Sequence, residues 1–143
     1  MQNLKTLAMV CAIICTLGCG EEAPEEVSPS ALCQGDFDAF ELGISKSVGD
    51  FEVTLENANP APPVEGFNRW TISISEMGVV REDLSPTFKP WMPEHGHGAN
   101  IPVTSTFSEG TYASQDLDFF MPGRWETTVA FDDEEVIFAF CIN

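Results

Sequence analysis

Apolar residues beyond residue 50 recur at every second position rather than at helical spacing. The segments FEVTLEN, RWTISIS, IPVTSTF and RWETTVAF all place apolar side chains on one face and polar side chains on the other. Alternation with a period of two is typical of a half-buried β-strand, so all four segments are predicted to be strands. The residues assigned to the buried face are Phe51, Val53, Leu55, Trp70, Ile72, Ile74, Ile101, Val103, Phe107, Trp125, Val129 and Phe131.

The remaining apolar segments extend the same pattern. DFDAFELG from Asp36, residues 87–92 and TYASQDLDFF from Thr111 each have strand length, and VIFAFCI from Val136 reads as a strand buried on both faces. Proline, glycine and aspartate pairs separate the segments, and no stretch has a helical stripe. Seven or eight short strands with turns between them predict an all-β fold, an immunoglobulin-like antiparallel β-sandwich.

Residues 1–18 have the features of a bacterial export signal. Lys5 precedes an apolar run of about twelve residues, which is shorter than the roughly twenty that a membrane-spanning helix needs. The run ends in Thr16-Leu17-Gly18-Cys19, which resembles the lipobox of bacterial lipoproteins. We therefore expect lipid on Cys19 and a membrane-tethered protein of the cell envelope, periplasmic if the cell is Gram-negative. Cleavage without lipidation and an uncleaved anchor are the alternatives.

Residues 19–32 are predicted to be an acidic, flexible tether, and residues 33–143 the folded domain. The tether contains four glutamates and two prolines but almost nothing to bury. After loss of residues 1–18 the chain has five basic and 23 acidic side chains, a formal charge of −18. Nucleic acids and anionic lipid surfaces attract basic proteins, so neither is an expected partner. The expected partners are the membrane, through the lipid, and an envelope protein.

The folded domain keeps two cysteines, Cys33 and Cys141, near its two ends. Cysteines of exported proteins are generally paired, so a disulfide is predicted between them. The alternative is two buried free thiols in the first and last strands.

Both histidines of the chain lie in WMPEHGHGAN, from Trp91. His95 and His97 are two residues apart, so in an extended segment their side chains point the same way, and neighbouring glycines allow tight folding. Met92 and Met121 offer thioether sulfur, which selects monovalent copper. Imidazole suits both copper states, and Glu94 would favour the divalent ion. These residues predict a copper-binding accessory protein.

Catalysis is not predicted, because no activated nucleophile, carboxylate pair or cofactor loop accompanies the histidines. A second hypothesis needs no metal. Met92 and Met121 would then fill gaps in the core, and His97 would hydrogen-bond within the loop. The domain would serve as an immunoglobulin-like module that docks another protein of the envelope.

Three segments follow one another in a characteristic order and spacing: PPVEGFNRWTISI from Pro62, WMPEHGHGA from Trp91 and GTYASQDLDFFMPGRWETTV from Gly110. Together they resemble the YtkA-like domain, a small immunoglobulin-like module of exported bacterial proteins that is similar to FixH-type domains. The resemblance covers about residues 45–143 and implies the same sandwich fold. Where the family often has another methionine this chain has His95, so a soft ligand is exchanged for a borderline one. The matching residues are Gly66, Asn68, Met92, Pro93, Gly96, His97, Gly98, Gly110, Tyr112, Met121, Gly123 and Trp125.

Aromatic residues outside the histidine loop receive structural predictions. Trp70 and Trp125 are expected in the core. Tyr112 is expected to hydrogen-bond a nearby backbone, as corner tyrosines do in sandwiches. Trp91 is expected to pack beside the loop, with a cation contact as the alternative. The DDEE run from Asp132 is expected at a hairpin tip rather than at a calcium site.

Overall fold

A computed structural model describes residues 33–143. The predicted signal peptide, the tether and the lipidation site at Cys19 lie outside these residues. Within the described range there is no helix of any kind, and so none that could cross a membrane.

Eleven antiparallel strands form two sheets. In the first sheet the order is β1-β2-β3-β8-β7, and β4 and β9 also pair with β3; in the second the order is β11-β10-β5-β6. The predicted all-β sandwich is confirmed, and eight of the strands have four or more residues. The strands are β1 Ser45–Val48, β2 Phe51–Asn59, β3 Gly66–Glu76, β4 Val79–Val80, β5 Thr87–Met92, β6 His97–Gly98, β7 Ser105–Ser108, β8 Thr111–Ser114, β9 Leu117–Phe119, β10 Gly123–Phe131 and β11 Glu134–Ile142.

The core lies between the two sheets and is built from the alternating positions of the long strands. Trp70 on β3 and Trp125 on β10 are both fully buried, as predicted. The Trp70 ring meets Phe138 and Phe140 of β11 nearly edge-on, with centroids 6.1 and 5.4 Å apart. Burying a large apolar side chain contributes about 1.5–3 kcal/mol, so the inward face of these strands supplies most of the stability.

One predicted strand is shorter than its alternation suggests. In IPVTSTF the strand begins at Ser105, Val103 makes an isolated bridge to Phe88, and Ile101 is 79% exposed. Phe107 is also on the surface, at 36%. Assigning Ile101 and Phe107 to the buried face was therefore wrong. β7 is an edge strand that pairs with β8 alone, so little covers its side chains.

Of two further strand predictions, one was wrong and the other was wrong only about burial. DFDAFELG is not a strand, because the Asp38 carboxylate rather than a backbone carbonyl accepts the amide of Ala139 at 3.0 Å, while the Asp38 amide donates to Ala139 O. VIFAFCI is a strand, but it alternates between buried and open positions. Ile137 is 43% exposed because no third layer covers the outer face of β11.

The predicted disulfide is present. Cys33 and Cys141 are bonded with their Cα atoms 5.8 Å apart, which joins the start of the described chain to the last strand. The alternative of two free thiols is therefore excluded.

Two polar side chains fix loops of the first sheet. The Tyr112 hydroxyl donates to Arg81 O at 2.9 Å and accepts from Leu84 N at 3.1 Å, which confirms the predicted corner. The buried Asn68 amide forms three hydrogen bonds with the turn before β3, two with Val64 and one with Gly66 O. Because a buried amide must be paired, both residues specify the local backbone path.

The charged run at the end of β10 lies where it was expected. Asp132 and Asp133 form the turn between β10 and β11, and Asp132 has a φ of 48°. Aspartate tolerates this left-handed conformation better than most residues.

Candidate metal site

The histidine segment is a tight hairpin between β5 and β6. Met92, the last residue of β5, pairs with His97, the first residue of β6. The turn is closed by the amide of Gly96, which donates to Met92 O at 3.0 Å, and Gly96 has a φ of 65°. The hairpin therefore places His97 directly beside Met92 on the backbone.

Gly98 allows β6 to approach β5 closely. A Cβ atom at this position would lie 2.7 Å from Trp91 Cα and still nearer to the carbonyl oxygen of Pro90. Beyond this point, the Ala99 amide donates to Pro90 O at 2.8 Å. The second glycine of the HGHG segment is thus required by backbone contact rather than by turn conformation.

The two imidazole rings lie next to each other. Their centroids are 5.4 Å apart and their planes differ by 47°. His95 is exposed and His97 is half-buried. The Nδ1 atom of His97 is buried and has no hydrogen-bond partner among the described residues. An unpaired buried nitrogen costs free energy, and Trp70 Nε1 and Thr127 Oγ1 in the core share this property with His97 Nδ1.

Met92, Glu94 and His95 line one small cavity. Its volume is about 80 Å³. The Met92 side chain is fully buried in the core, and the Glu94 side chain is 28% exposed. The other residues that line this cavity are Gln34, Pro122, Gly123 and Arg124. Three of the five predicted metal ligands are therefore together, whereas His97 and Met121 do not line this cavity.

Arg124 sets the electrostatics of the cavity. Its guanidinium contacts Glu126 at 2.5 Å and Glu94 at 4.0 Å, and it donates to Asp36 O at 2.7 Å. Glu94 and Arg124 line the cavity together with His95, whereas Glu126 does not, so the two opposite charges of the lining balance.

Met121 lies outside the lining of the cavity that Met92, Glu94 and His95 share. Its side chain is half-buried against the core, and its carbonyl oxygen accepts a 2.9 Å hydrogen bond from Trp125 Nε1. Gly123, with a φ of 137°, permits the turn between them. A ligand role for the Met121 thioether stays a prediction.

Phe120 is the residue of this segment whose ring contacts that of a histidine. Its ring centroid lies 5.2 Å from that of His97, with the two planes tilted by 33°. The sequence contained one signal for this contact. Phe119 and Phe120 are adjacent at the end of β9, so only Phe119 can face the core, and Phe120 is 46% exposed.

Trp91 lies in β5, the first strand of the histidine hairpin, and is half-buried. The Lys89 ammonium lies 5.7 Å from the Trp91 ring centroid. The contact is a cation–π interaction within β5.

In residues 33–143 no three side chains of histidine, cysteine, aspartate or glutamate are grouped so that they could hold a metal ion. The nitrogen donors of the hairpin are the two imidazoles, and the nearby sulfur is that of Met92.

The protein is a small β-sandwich closed by a disulfide, and both of its histidines lie in the hairpin between β5 and β6. The chain belongs to the YtkA-like family, which it matches over residues 45–130. The match confirms the resemblance noted above, although it ends before β11. No curated protein and no solved structure is significantly similar to the chain.

Proposed function

We propose that this protein is an accessory protein of the cell envelope that binds copper at the β5–β6 hairpin and does not catalyse a reaction. His95 and His97 are the principal ligands, and Met92 supplies a thioether. The tether and the lipid on Cys19 hold the domain at the membrane.

The spacing of the two imidazoles is the observation that carries this proposal. Metal–imidazole bonds are about 2.0–2.1 Å long, so two rings that share an ion have centres about 5–6 Å apart. The rings of His95 and His97 lie 5.4 Å apart, which fits one shared ion with little movement.

The donor chemistry supports copper. Imidazole with thioether is a donor set that suits copper, and the thioether favours the monovalent state.

Thermal unfolding with and without copper tests the proposal. All samples carry Cys11→Ser, Cys15→Ser and Cys19→Ser, so that these thiols do not compete. Copper(I) at about 100 times its dissociation constant adds about 2.7 kcal/mol, which raises Tm on the order of 10 °C. We expect this rise to disappear in the His95→Ala, His97→Ala double variant.

Met77→Ala provides the control, because Met77 is a 78% exposed methionine outside the hairpin. It should keep the full rise in Tm. A rise that survives the loss of both histidines, or no rise in the parent protein, would show that the hairpin does not bind copper.

A second function, docking of an envelope protein without metal, is favoured by the hairpin between β3 and β4. Met77 and Val79 are 78% and 68% exposed there, and Met77 has a φ of 48°, which is unusual for a methionine. A photo-crosslinking residue at position 77 should then form one discrete adduct in cells. The same residue at position 107, also on the surface, should form none; equal labelling from both positions would argue against docking.

A further inference from the structure

Phe120 lies between the core and the histidine hairpin. One neighbour is His97, at 5.2 Å between centroids, and the other is Trp125, at 5.0 Å with the rings nearly perpendicular. Trp125 is itself fully buried and fixed by its hydrogen bond to Met121 O. The chain of contacts therefore runs from a rigid core residue, through Phe120, to the half-buried imidazole.

A histidine that binds a metal is usually oriented by a hydrogen bond from its other ring nitrogen. No such bond involves Nδ1 of His97, which is buried without a partner in the described chain. The rings of both His95 and Phe120 contact this imidazole. The plane of the Phe120 ring is tilted by 33° to it, and this contact limits the rotamers that His97 can adopt.

We propose that Phe120 is the positioning residue of the copper site and that contact with its ring replaces the usual hydrogen bond in orienting His97. This inference rests on the proposed copper function. It also connects the turn from Met121 to Trp125 with the histidine hairpin. That turn fixes Trp125, and Trp125 fixes Phe120.

The first test needs no metal. In the copper-free protein, scalar couplings about χ1 of His97 should report a single rotamer. Phe120→Leu should give averaged couplings, because leucine keeps apolar volume but offers no flat ring. Phe120→Tyr should keep the single rotamer. Phe107→Leu is the matched control, since Phe107 is also partly exposed and its ring contacts that of Tyr112 in the other sheet, with 4.9 Å between centroids.

The second test is copper(I) titration of the same four proteins, each with cysteines 11, 15 and 19 replaced by serine. Loss of a group that orients a ligand typically costs 10–100-fold in metal affinity, so we expect a loss of this size for Phe120→Leu. Phe120→Tyr and Phe107→Leu should bind as the parent does.

The outcomes separate the two proposals. If the parent protein binds no copper, the proposed function fails and with it the role of Phe120 in a copper site, while the rotamer measurement still shows whether Phe120 orients His97. If the parent binds copper and Phe120→Leu binds it equally well, Phe120 is not a positioning residue. A single His97 rotamer in Phe120→Leu overturns the inference by itself.

Discussion

The indole nitrogen of Trp125 donates a 2.9 Å hydrogen bond to the backbone carbonyl of Met121. The bond closes the turn that leads into β10, and Gly123 supplies the backbone conformation that the turn requires. In the Met-x-Gly-x-Trp segment the structural partner of the tryptophan is thus a main-chain atom of residue 121. The Met121 side chain itself packs, half-buried, against the core.

We therefore expect Met121→Leu to change the free energy of unfolding by less than about 1.5 kcal/mol, because the two side chains have similar volume. Trp125→Phe should cost about 2 kcal/mol or more, since it leaves a cavity and an unpaired carbonyl. Urea unfolding of both variants measures the difference. Equal losses would mean that the hydrogen bond contributes little.

Gly98→Ala should destabilise the hairpin between β5 and β6. The added methyl group would overlap Trp91 Cα and the Pro90 carbonyl, so the strands must separate at a cost of about 1–3 kcal/mol. Urea unfolding and the amide chemical shifts of Ala99 report the change. Gly96→Asn is the control, because position 96 has free space and asparagine tolerates its positive φ. If the control loses as much stability, the close contact is not the cause.

Tyr112→Phe should lower the free energy of unfolding by about 1–3 kcal/mol. The substitution keeps the buried ring but removes the hydroxyl that joins Arg81 O to Leu84 N, and the amide of the buried Leu84 then has no acceptor. Calorimetry measures the loss, and faster hydrogen exchange at Leu84 would locate it. Unchanged exchange at that amide would contradict the assigned contact.

The Arg81 guanidinium lowers the pKa of Asp83, mainly through side-chain hydrogen bonds of 2.8 and 2.9 Å. Because the pKa is lower in the folded protein, this pair stabilises the fold above the unfolded-state pKa of Asp83 and loses that effect as the pH falls through the folded-state value. Arg81→Gln should return the Asp83 pKa toward its ordinary value in an NMR titration. Arg69→Gln should leave it unchanged, and a shift of equal size there would point to general charge effects.

Loss of the disulfide should cost about 4 kcal/mol or more. Cys33 and Cys141 are 108 residues apart in sequence, and the chain-entropy model gives about 4.7 kcal/mol for a loop near 100 residues. The urea midpoint of the Cys33→Ser, Cys141→Ser variant measures the effect. Reductant should destabilise the parent protein and leave the variant unaltered; a parent insensitive to complete reduction would refute the prediction.

Much of the fold could be predicted because the alternation of polar and apolar residues is a strong signal in the long strands. In β3 polar and apolar residues alternate from Trp70 to Ser75, β10 keeps most of this alternation, and the structure buries every apolar residue that the pattern assigned in both strands. The same signal failed at Ile101, because alternation states which residues share a face but not whether another layer covers that face. Coverage depends on sheet order, which a local pattern does not contain.

The candidate site was predictable only in part, for a related reason. The rings of His95 and His97 are neighbours, but His95 lies in a turn with a positive φ at Gly96 and not in the extended segment that the spacing argument assumed. The contact of Phe120 with His97 could not be predicted from the sequence. Consecutive residues of an extended chain point in opposite directions, so either Phe120 or Met121 could face the hairpin. Whether Phe120 or Met121 faces the hairpin depends on the turn that Gly123 and Trp125 form, which is a tertiary feature.

The bond between Cys33 and Cys141 has a mechanical consequence. A pulling force applied from the N-terminal side of Cys33 passes through the disulfide into β11 and does not peel away the residues that follow Cys33. β11 is held by nine residue pairs with β10, from Gly123–Ile142 to Phe131–Glu134. Tension on the chain is therefore carried by the longest hairpin of the second sheet, and the loop closed by the disulfide, which contains the histidine hairpin, cannot be extended while that bond is intact.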